Sequence, residues 1–530
     1  MKRTILLVLL LGILSACAPV IIEPVTPVSS PDTLSQQSWW RNTVFYEIFV
    51  RSYCDSDGNG IGDFNGITSK LDYLQSLGIK GIWLMPINPS PSYHGYDVLN
   101  YYAVNPQYGT MDDFKTLVAE AHARGIRIII DLVLNHTSSQ HPFFVDANNN
   151  PQSPYRDWYI WADSYSANHW YTGMTGYYYA FFGSGMPDLN YKNPDVTAQM
   201  YNVVRFWLKD VGIDGFRIDA AKHLIEEGLQ LEGTESTHAW LRDFHAMYNA
   251  ENPEAYTVGE IYGAGAFAAK AYTGDQLDQI FNFEMSSGFT GSALGGSNTG
   301  INSAITFALE DMPGGEYATF LTNHDQNRIM STLNGNVGKA RVAASLMLTS
   351  PGTPFIYYGE EIGMEGKKPD EDIRLPMQWS EAANAGFTTG VPWRAPAANY
   401  LQANVADETN DPDSLLSYYR NLITIRNQHP ALRYGSISSV STNNPGVYAA
   451  LRVSDSETIL ILVNLTKNPI NNYALSLQTA SLPDGSYQLD SILGAGMGAS
   501  LGISGGVFNN SQPLAELSPY STYILLISPK

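Results

Sequence analysis

Three acids stand out by position: Asp219, Glu260 and Asp325 each follow a short apolar, strand-like run. The runs end Gly215-Phe-Arg217-Ile-Asp219, Val258-Gly-Glu260 and Thr322-Asn-His324-Asp325, and another ends Asp131-Leu-Val-Leu-Asn135-His136. A lone acid at a strand end is more often a cap or an ion-pair partner. Three of them, accompanied by His136, Arg217 and His324, point instead to a site that moves protons and stabilises charge. Arg217 lies two residues before Asp219, so on a strand both side chains face the same way, and the guanidinium should keep Asp219 ionised. Neighbouring negative charge should raise the proton affinity of Glu260, as a general acid near neutral pH requires.

A second cluster reads Asp55-x-Asp57-x-Asn59-Gly60-Ile61-x-Asp63. Oxygen side chains at alternate positions around a glycine turn can wrap a hard cation, Ca²⁺ first among them. Asp55, Asp57, Asn59, Ile61 and Asp63 are therefore candidate metal ligands. The segment imitates the first half of an EF-hand loop, but Gly66 stands where the closing Glu belongs and a strand-like run precedes it, which excludes that motif. A bare turn is the weaker reading, because its crowded oxygens would repel one another.

The elements that must position these residues follow from apolar patterning. Strands are expected at Val44–Arg51, Gly81–Ile87, Ile126–Leu134, Ile213–Ile218, Tyr256–Glu260, Ile280–Phe283, Ala318–Leu321 and Pro354–Tyr358, separated by helical patterns such as Met111–Arg124 and Val196–Lys209. Eight strands alternating with helices predict an α/β fold, a parallel (β/α)8 TIM barrel, whose active site lies at the C-terminal strand ends. The stretch between the third and fourth strands is too long for one helix and its loops. Its first part, residues 136–190, is rich in Tyr, Trp, Gly and Asn and lacks helical periodicity, so a small irregular inserted domain is expected there. The barrel then comprises 39–135 and 191–435. Beyond it, Val447–Val453, Thr458–Thr466, Ser486–Ile492 and Ser521–Ile527 predict a C-terminal antiparallel β-sandwich over 436–530.

These motifs, in this order, resemble the α-amylase family of glycoside hydrolases. The resemblance covers the barrel and the tail and rests on Asp131–His136, Met186-Pro-Asp188-Leu-Asn190, Gly215–His223, Val258–Glu260 and Thr322–Asp325. It implies Asp219 as the nucleophile, Glu260 as the acid and then the base, and Asp325 as the carboxylate holding hydroxyls of the distorted sugar. A retaining glycosidase needs such a pair of carboxyls roughly 5 Å apart. The resemblance further implies His136 and His324 as donors to the cleaved sugar, Tyr96 as its stacking partner with His94 beside it, and Lys222 and His223 on the leaving side. It also implies a second calcium site formed by Asn135, Asp188 and the carbonyl of His223, with Asp157 or Asp163 as the remaining acid. The Asp55–Asp63 loop is similar to a metal loop in members near the oligo-1,6-glucosidases. Ala220 matches neither the Val usual in that group nor the Thr of many α-amylases, and Arg374-Leu-Pro-Met-Gln-Trp379 leans toward the oligo-1,6-glucosidases. Taken together, the set is most similar to lipoprotein α-amylases intermediate between the two. Endo-hydrolysis of α-1,4 bonds in starch and maltooligosaccharides is the first expectation. An exo-acting α-glucosidase or a cyclodextrin-degrading enzyme is the alternative, and a non-catalytic starch-binding surface protein ranks below both.

Composition agrees with a large folded chain. Of 530 residues, 44% are hydrophobic and 15% charged, which excludes a largely disordered protein. A formal net charge of −21 repels phosphate backbones and argues against nucleic-acid binding. The 12% of aromatic residues is read first as core. Residues 1–16 look like a secretory signal: Lys2 and Arg3 precede the apolar run 5–14, which is too short to span a bilayer. Leu14-Ser-Ala-Cys17 resembles the bacterial lipobox, which implies a lipidated Cys17 and a membrane-attached protein in the cell envelope, outside the cytoplasm. The remainder of 17–38 reads as a Pro/Ser-rich tether. With Cys17 lipidated, Cys54 has no partner for a disulfide. A monomer is expected.

Overall fold

The computed structural model describes residues 38–164, 168–312, 314–478, 482–494 and 500–530. Cys17, the signal segment and the tether up to residue 37 lie outside the described residues. Eight parallel strands form the central sheet: β1 (Phe45–Ile48), β2 (Gly81–Leu84), β3 (Arg127–Leu132), β4 (Gly215–Ile218), β5 (Tyr256–Gly259), β6 (Gln279–Ile280), β7 (Ala318–Phe320) and β8 (Thr353–Tyr357). They pair in the order β7-β8-β1-β2-β3-β4-β5-β6. A bridge between Phe281 and Ala318 brings the last edge back to the first and closes the barrel. Every expected strand exists, though most are shorter than the apolar runs. The sixth is cut to two residues because Asn282 caps a helix that already begins at Phe283.

Aromatic rings fill the lower barrel. Phe45 stacks on Phe355 with centroids 4.4 Å apart, Trp40 stacks on Tyr256 at 5.0 Å, and Trp83 and Phe281 complete the plug. The charged side chains of the site gather above this largely apolar floor, at the C-terminal end of the strands, while Gln279 is tied into the floor by the Tyr256 hydroxyl at 2.8 Å. The helix Met111–Ala123 starts at a capping box between Thr110 and Asp113 and turns Phe114, Leu117, Val118 and Ala121 inward. The helix Pro194–Arg205 continues into a π-helical turn, Phe206–Val211, which Gly212 ends.

The inserted segment is more regular than its composition suggested. It contains a helix, Pro142–Asn149, and a three-stranded sheet of Trp161–Ala162, Tyr177–Tyr179 and Trp170–Thr172. Only Phe144 and Ala147 of the helix are buried, so two turns supply too few apolar positions to show a period. The C-terminal domain has a six-stranded antiparallel sheet and a three-stranded one, with Leu451, Leu460, Leu475, Tyr487 and Phe508 in the core between them. The buried guanidinium of Arg452 ties it to the barrel by donating to the carbonyls of Thr349 and Gly435.

Candidate active site

The geometry centres on Arg217. It rises from β4 beside Asp131 of β3, its neighbour in the parallel register. One terminal nitrogen donates to Asp131 at 2.8 Å and to Asp219 at 2.6 Å, and the other donates to Glu260 at 2.6 Å. A single guanidinium therefore gathers three carboxylates from three strands. Ala220, directly after Asp219, takes a left-handed conformation (φ 45°), uncommon for a residue with a side chain. This sharp turn aims its own amide at Glu260, 3.3 Å away.

The remaining predicted residues collect on the same face. Asp325 lies opposite, bonded to Arg374 at 2.8 Å and 3.3 Å from Nε2 of His324. His324 is clamped at its other nitrogen by Glu47 of β1 at 2.6 Å. The Tyr96 hydroxyl reaches His324 at 2.7 Å and Asp131 at 3.1 Å, and its ring lies nearly parallel to those of His324 and His94. His136 holds the Tyr96 carbonyl through Nε2 at 3.1 Å, so its ring hydrogen already serves the protein. Lys222 lies on the wall 2.5 Å from Glu232, and the His223 ring packs 4.1 Å from that of Phe181. Asp219, Glu260, Asp325, His94, Tyr96, His136, Lys222 and His223 line a cleft of about 530 Å³, with Phe182, Met186 and Tyr262 among the apolar surfaces. Arg217 and His324 are buried behind its wall and support it from there.

Electrostatics divide the acids. Burial raises the Asp219 carboxyl above its usual range, against the pull of Arg217. Arg217 does pull Asp219 toward its ionised form, but the guanidinium is shared three ways and desolvation outweighs its share. Burial also raises Glu260, with Asp219 and Asp325 adding to the effect, and pushes Asp131 up to about 7. Asp325 goes the other way. Burial pushes it up, but His324 and Arg374 together hold it below the ordinary carboxylate range. Burial would lower His324, yet Asp325 and Glu47 raise it above ordinary imidazole, whereas unopposed burial drops His136 to about 4. Burial and neighbouring negative charge thus favour a proton on Glu260, as a general acid requires, while Arg217 opposes the effect of burial on Asp219 and Asp325 stays ionised.

Sequence reasoning missed Glu47 and Arg374 as site residues. Arg374 opens the segment 374–379, whose sequence carries no sign of its partner Asp325, and Glu47 is one acid inside an apolar strand. Its burial against His324 was the only signal, and that is a contact between distant positions.

The metal candidates form two places. In the first, carboxylate oxygens of Asp55, Asp57 and Asp63 lie within 4.8 Å of one another. Asp55 accepts from the amides of Gly58 and Gly60 at 2.8 and 2.7 Å, and Asn59 accepts from Ile61 at 2.8 Å. Gly60 adopts φ 92°, and a Cβ there would fall 1.9 Å from the Val391 carbonyl. Asp63 also caps the helix Phe64–Ser69 through the Gly66 amide at 2.6 Å. Gly66 explains the missing EF-hand Glu, since a side chain there would strike the Cys54 carbonyl at 1.9 Å. Three anionic groups this close, two of them buried, fit a hard cation. In the second place Asn135 and Asp188 are buried, and Oδ1 of the one and Oδ2 of the other have no hydrogen-bond partner, again what a cation would satisfy. The His223 ring packs on Phe181, whose amide donates to Asp188. Asp157 and Asp163 do not suit the missing acid, because both are exposed at the surface.

Comparisons with known proteins agree with this architecture. The profile of the alpha amylase catalytic domain matches residues 47–435. Alpha-amylase 3 of Dictyoglomus thermophilum is 42% identical over 442 residues, covering 81% of this chain and 86% of its own. An oligo-1,6-glucosidase of Parageobacillus thermoglucosidasius is 34% identical over 520 residues, covering 82% and 92%. The crystal structure of an alpha-amylase from H. orenii superposes with a TM-score of 0.79 at 38% identity, over 92% of this chain and 99% of that one.

Proposed function

This chain belongs to the α-amylase family of glycoside hydrolases, and from that premise we propose that it is an α-amylase cutting internal α-1,4-glucosidic bonds of starch and maltooligosaccharides with retention of configuration. The observation that carries the reading is the clamp of Arg217 on Asp219 and Glu260. Two carboxyls bonded to the ends of one guanidinium favour the short spacing of a double displacement over the wider spacing of an inverting pair. Asp219 attacks the anomeric carbon as Glu260 protonates the departing oxygen, giving a glycosyl ester and a free sugar hydroxyl. Glu260, now a base, takes a proton from water, whose oxygen displaces Asp219 and restores the α configuration. Asp325, kept ionised by His324 and Arg374, holds hydroxyls of the distorted sugar, with Tyr96 beneath it.

The higher identity to a protein named as an alpha-amylase, and the Lys222-His223 wall, favour the endo-acting reading. An exo-acting α-glucosidase or a cyclodextrin-degrading enzyme is the second reading, the former supported by the oligo-1,6-glucosidase relatives. A product time-course on amylose, maltotriose, isomaltose and β-cyclodextrin separates them. Early maltooligosaccharides from amylose are expected, and faster cleavage of isomaltose would transfer the enzyme to the second class.

The Asp55–Asp63 loop and the Asn135–Asp188–His223 seam are proposed as calcium sites that stabilise the fold; calcium supplies structural charge there and takes no part in bond cleavage. The lipobox pattern supports attachment of the enzyme to a membrane through Cys17. Cys17→Ser should move the protein from the membrane fraction to the soluble one. Unlipidated wild-type protein recovered in the soluble fraction would reject the anchor.

A further inference from the structure

The seam between the barrel and the inserted segment carries one more ligand than the motifs suggested. Three pieces of chain are knitted there by main-chain bonds. Leu189 donates to the Asn135 carbonyl at 2.9 Å, Asp188 to that of Tyr179 at 3.2 Å, and Phe181 to Oδ1 of Asp188 at 3.0 Å. A fourth piece, the loop after the Asp219 turn, brings in Glu226, whose carboxyl lies against Asp188 and Tyr179. Four oxygens meet in this space: Oδ1 of Asn135, Oδ2 of Asp188, Oε1 of Glu226 and the Tyr179 hydroxyl. All four are buried and none has a hydrogen-bond partner. The one cation recorded on Glu226, Lys192, spends its ammonium on the Glu226 carbonyl at 2.9 Å.

Burying a carboxylate without a cation costs several kcal/mol, and the Phe181 amide on Oδ1 of Asp188 with the neutral side chains of Asn135 and Tyr179 does not offset two that face each other. A site made only of oxygen, from segments with no common symmetry, suits calcium. It accepts six to eight oxygens in irregular geometry, whereas magnesium demands a tight octahedron. We propose that Glu226 is the acidic ligand that completes a divalent-cation site with Asn135 and Asp188, in place of Asp157 or Asp163. This inference rests on the seam being a calcium site. It also gives the ion reach into the cleft, since the loop that begins at Glu226 continues to Glu232, the partner of Lys222.

The test counts ions rather than turnover. The full-length protein carrying Asp57→Ala, which removes a ligand of the other loop, is stripped with chelator. It is then titrated with calcium chloride, with bound calcium measured by atomic emission and melting temperature followed in parallel. One ion per chain is expected, and adding Glu226→Gln should weaken it at least tenfold and remove most of the remaining calcium-dependent melting shift. Asp188→Asn should do the same. The glutamine keeps the volume of Glu226, and an unchanged melting temperature in chelator shows that the fold survives. If that variant does not fold, Glu226→Asp, which only shortens the reach, should still weaken binding. If Asp188→Asn loses the ion while Glu226→Gln keeps full affinity, the seam binds calcium without Glu226 and this inference falls alone. If the Asp57→Ala protein binds no calcium at all, the seam reading falls with it.

Discussion

Around Arg217 three carboxylates share a guanidinium, whereas in the Asp55–Asp63 loop three carboxylates share only amide and hydroxyl hydrogens. The first cluster carries its own positive charge, drawn from a neighbouring strand, and the chain alone can hold it together. Burial raises Asp131, Asp219 and Glu260 above the ordinary carboxylate range, and that guanidinium pulls each of them back down. The second has no cation among its hydrogen-bond partners, and calcium is proposed to supply one. Similar residues thus meet different partners: one arrangement balances burial against a guanidinium, and the other is proposed to take up an ion.

The largest break in this contrast should come from the charge-carrying atoms of the cleft. Asp219→Asn should lower kcat on starch on the order of 10⁴-fold or more while leaving the melting temperature near wild type, because an amide keeps the shape but cannot form the ester. Glu260→Gln should be nearly as severe on starch and much milder on an aryl glycoside whose leaving group departs without an acid. Steady-state kinetics on both substrates check this. Comparable losses on the two substrates in Glu260→Gln would deny it the acid's role.

The next effect concerns pH. Asp131 sits at about 7 in the fold against an ordinary 3.8, so between those values the folded state holds a proton that the unfolded chain lacks. Its stabilising contribution is full below the unfolded value and is lost as pH rises through about 7. Asp325, held low, contributes in the opposite sense: its share is present above its unfolded value and is lost as pH falls toward the folded one. Asp131→Asn should therefore flatten the decline in stability between about pH 4 and pH 8 by on the order of 4 kcal/mol at most. Denaturant unfolding at a series of pH values reads the slope. An unchanged slope would mean that the proton shared around Arg217 resides elsewhere.

What could be read in advance follows the same line between local and distant. Barrel strands were legible because each is a short apolar run, and Asp219, Glu260 and Asp325 because they stand just beyond those runs. The Asp55–Asp63 loop was legible because its oxygens are neighbours in sequence. Glu47 and Glu226 were not, since each acquires meaning only from a partner across the fold: His324 for the first, Asp188 for the second. Arg217 was seen beside Asp219, but its bonds to Asp131 and Glu260 depend on strand neighbours that no spacing discloses. The two-turn helix at Pro142–Asn149 escaped for a smaller reason, having too few buried positions to mark a period.

The smallest effect sharpens the comparison from the loop's side. Chelation should lower the melting temperature, and Asp57→Ala should remove a good part of that response, because Asp57 is the exposed member of the trio and faces the others within 4.8 Å. A ligand that binds only the folded state adds about 2.7 kcal/mol at a hundredfold excess over Kd, which sets the scale of the loss. The loop is fastened by Asp63 to the helix Phe64–Ser69 and by Thr388 to Asp55, and none of these residues lines the cleft. Turnover well below the melting transition should therefore stay close to wild type in Asp57→Ala, in contrast to Asp219→Asn, whose stability survives while its turnover does not. Calorimetry with and without calcium, paired with starch hydrolysis at low temperature, measures both arms. An Asp57→Ala protein that keeps the whole calcium-dependent shift and the wild-type ion count would reduce the loop to a turn whose amides alone contain its charge.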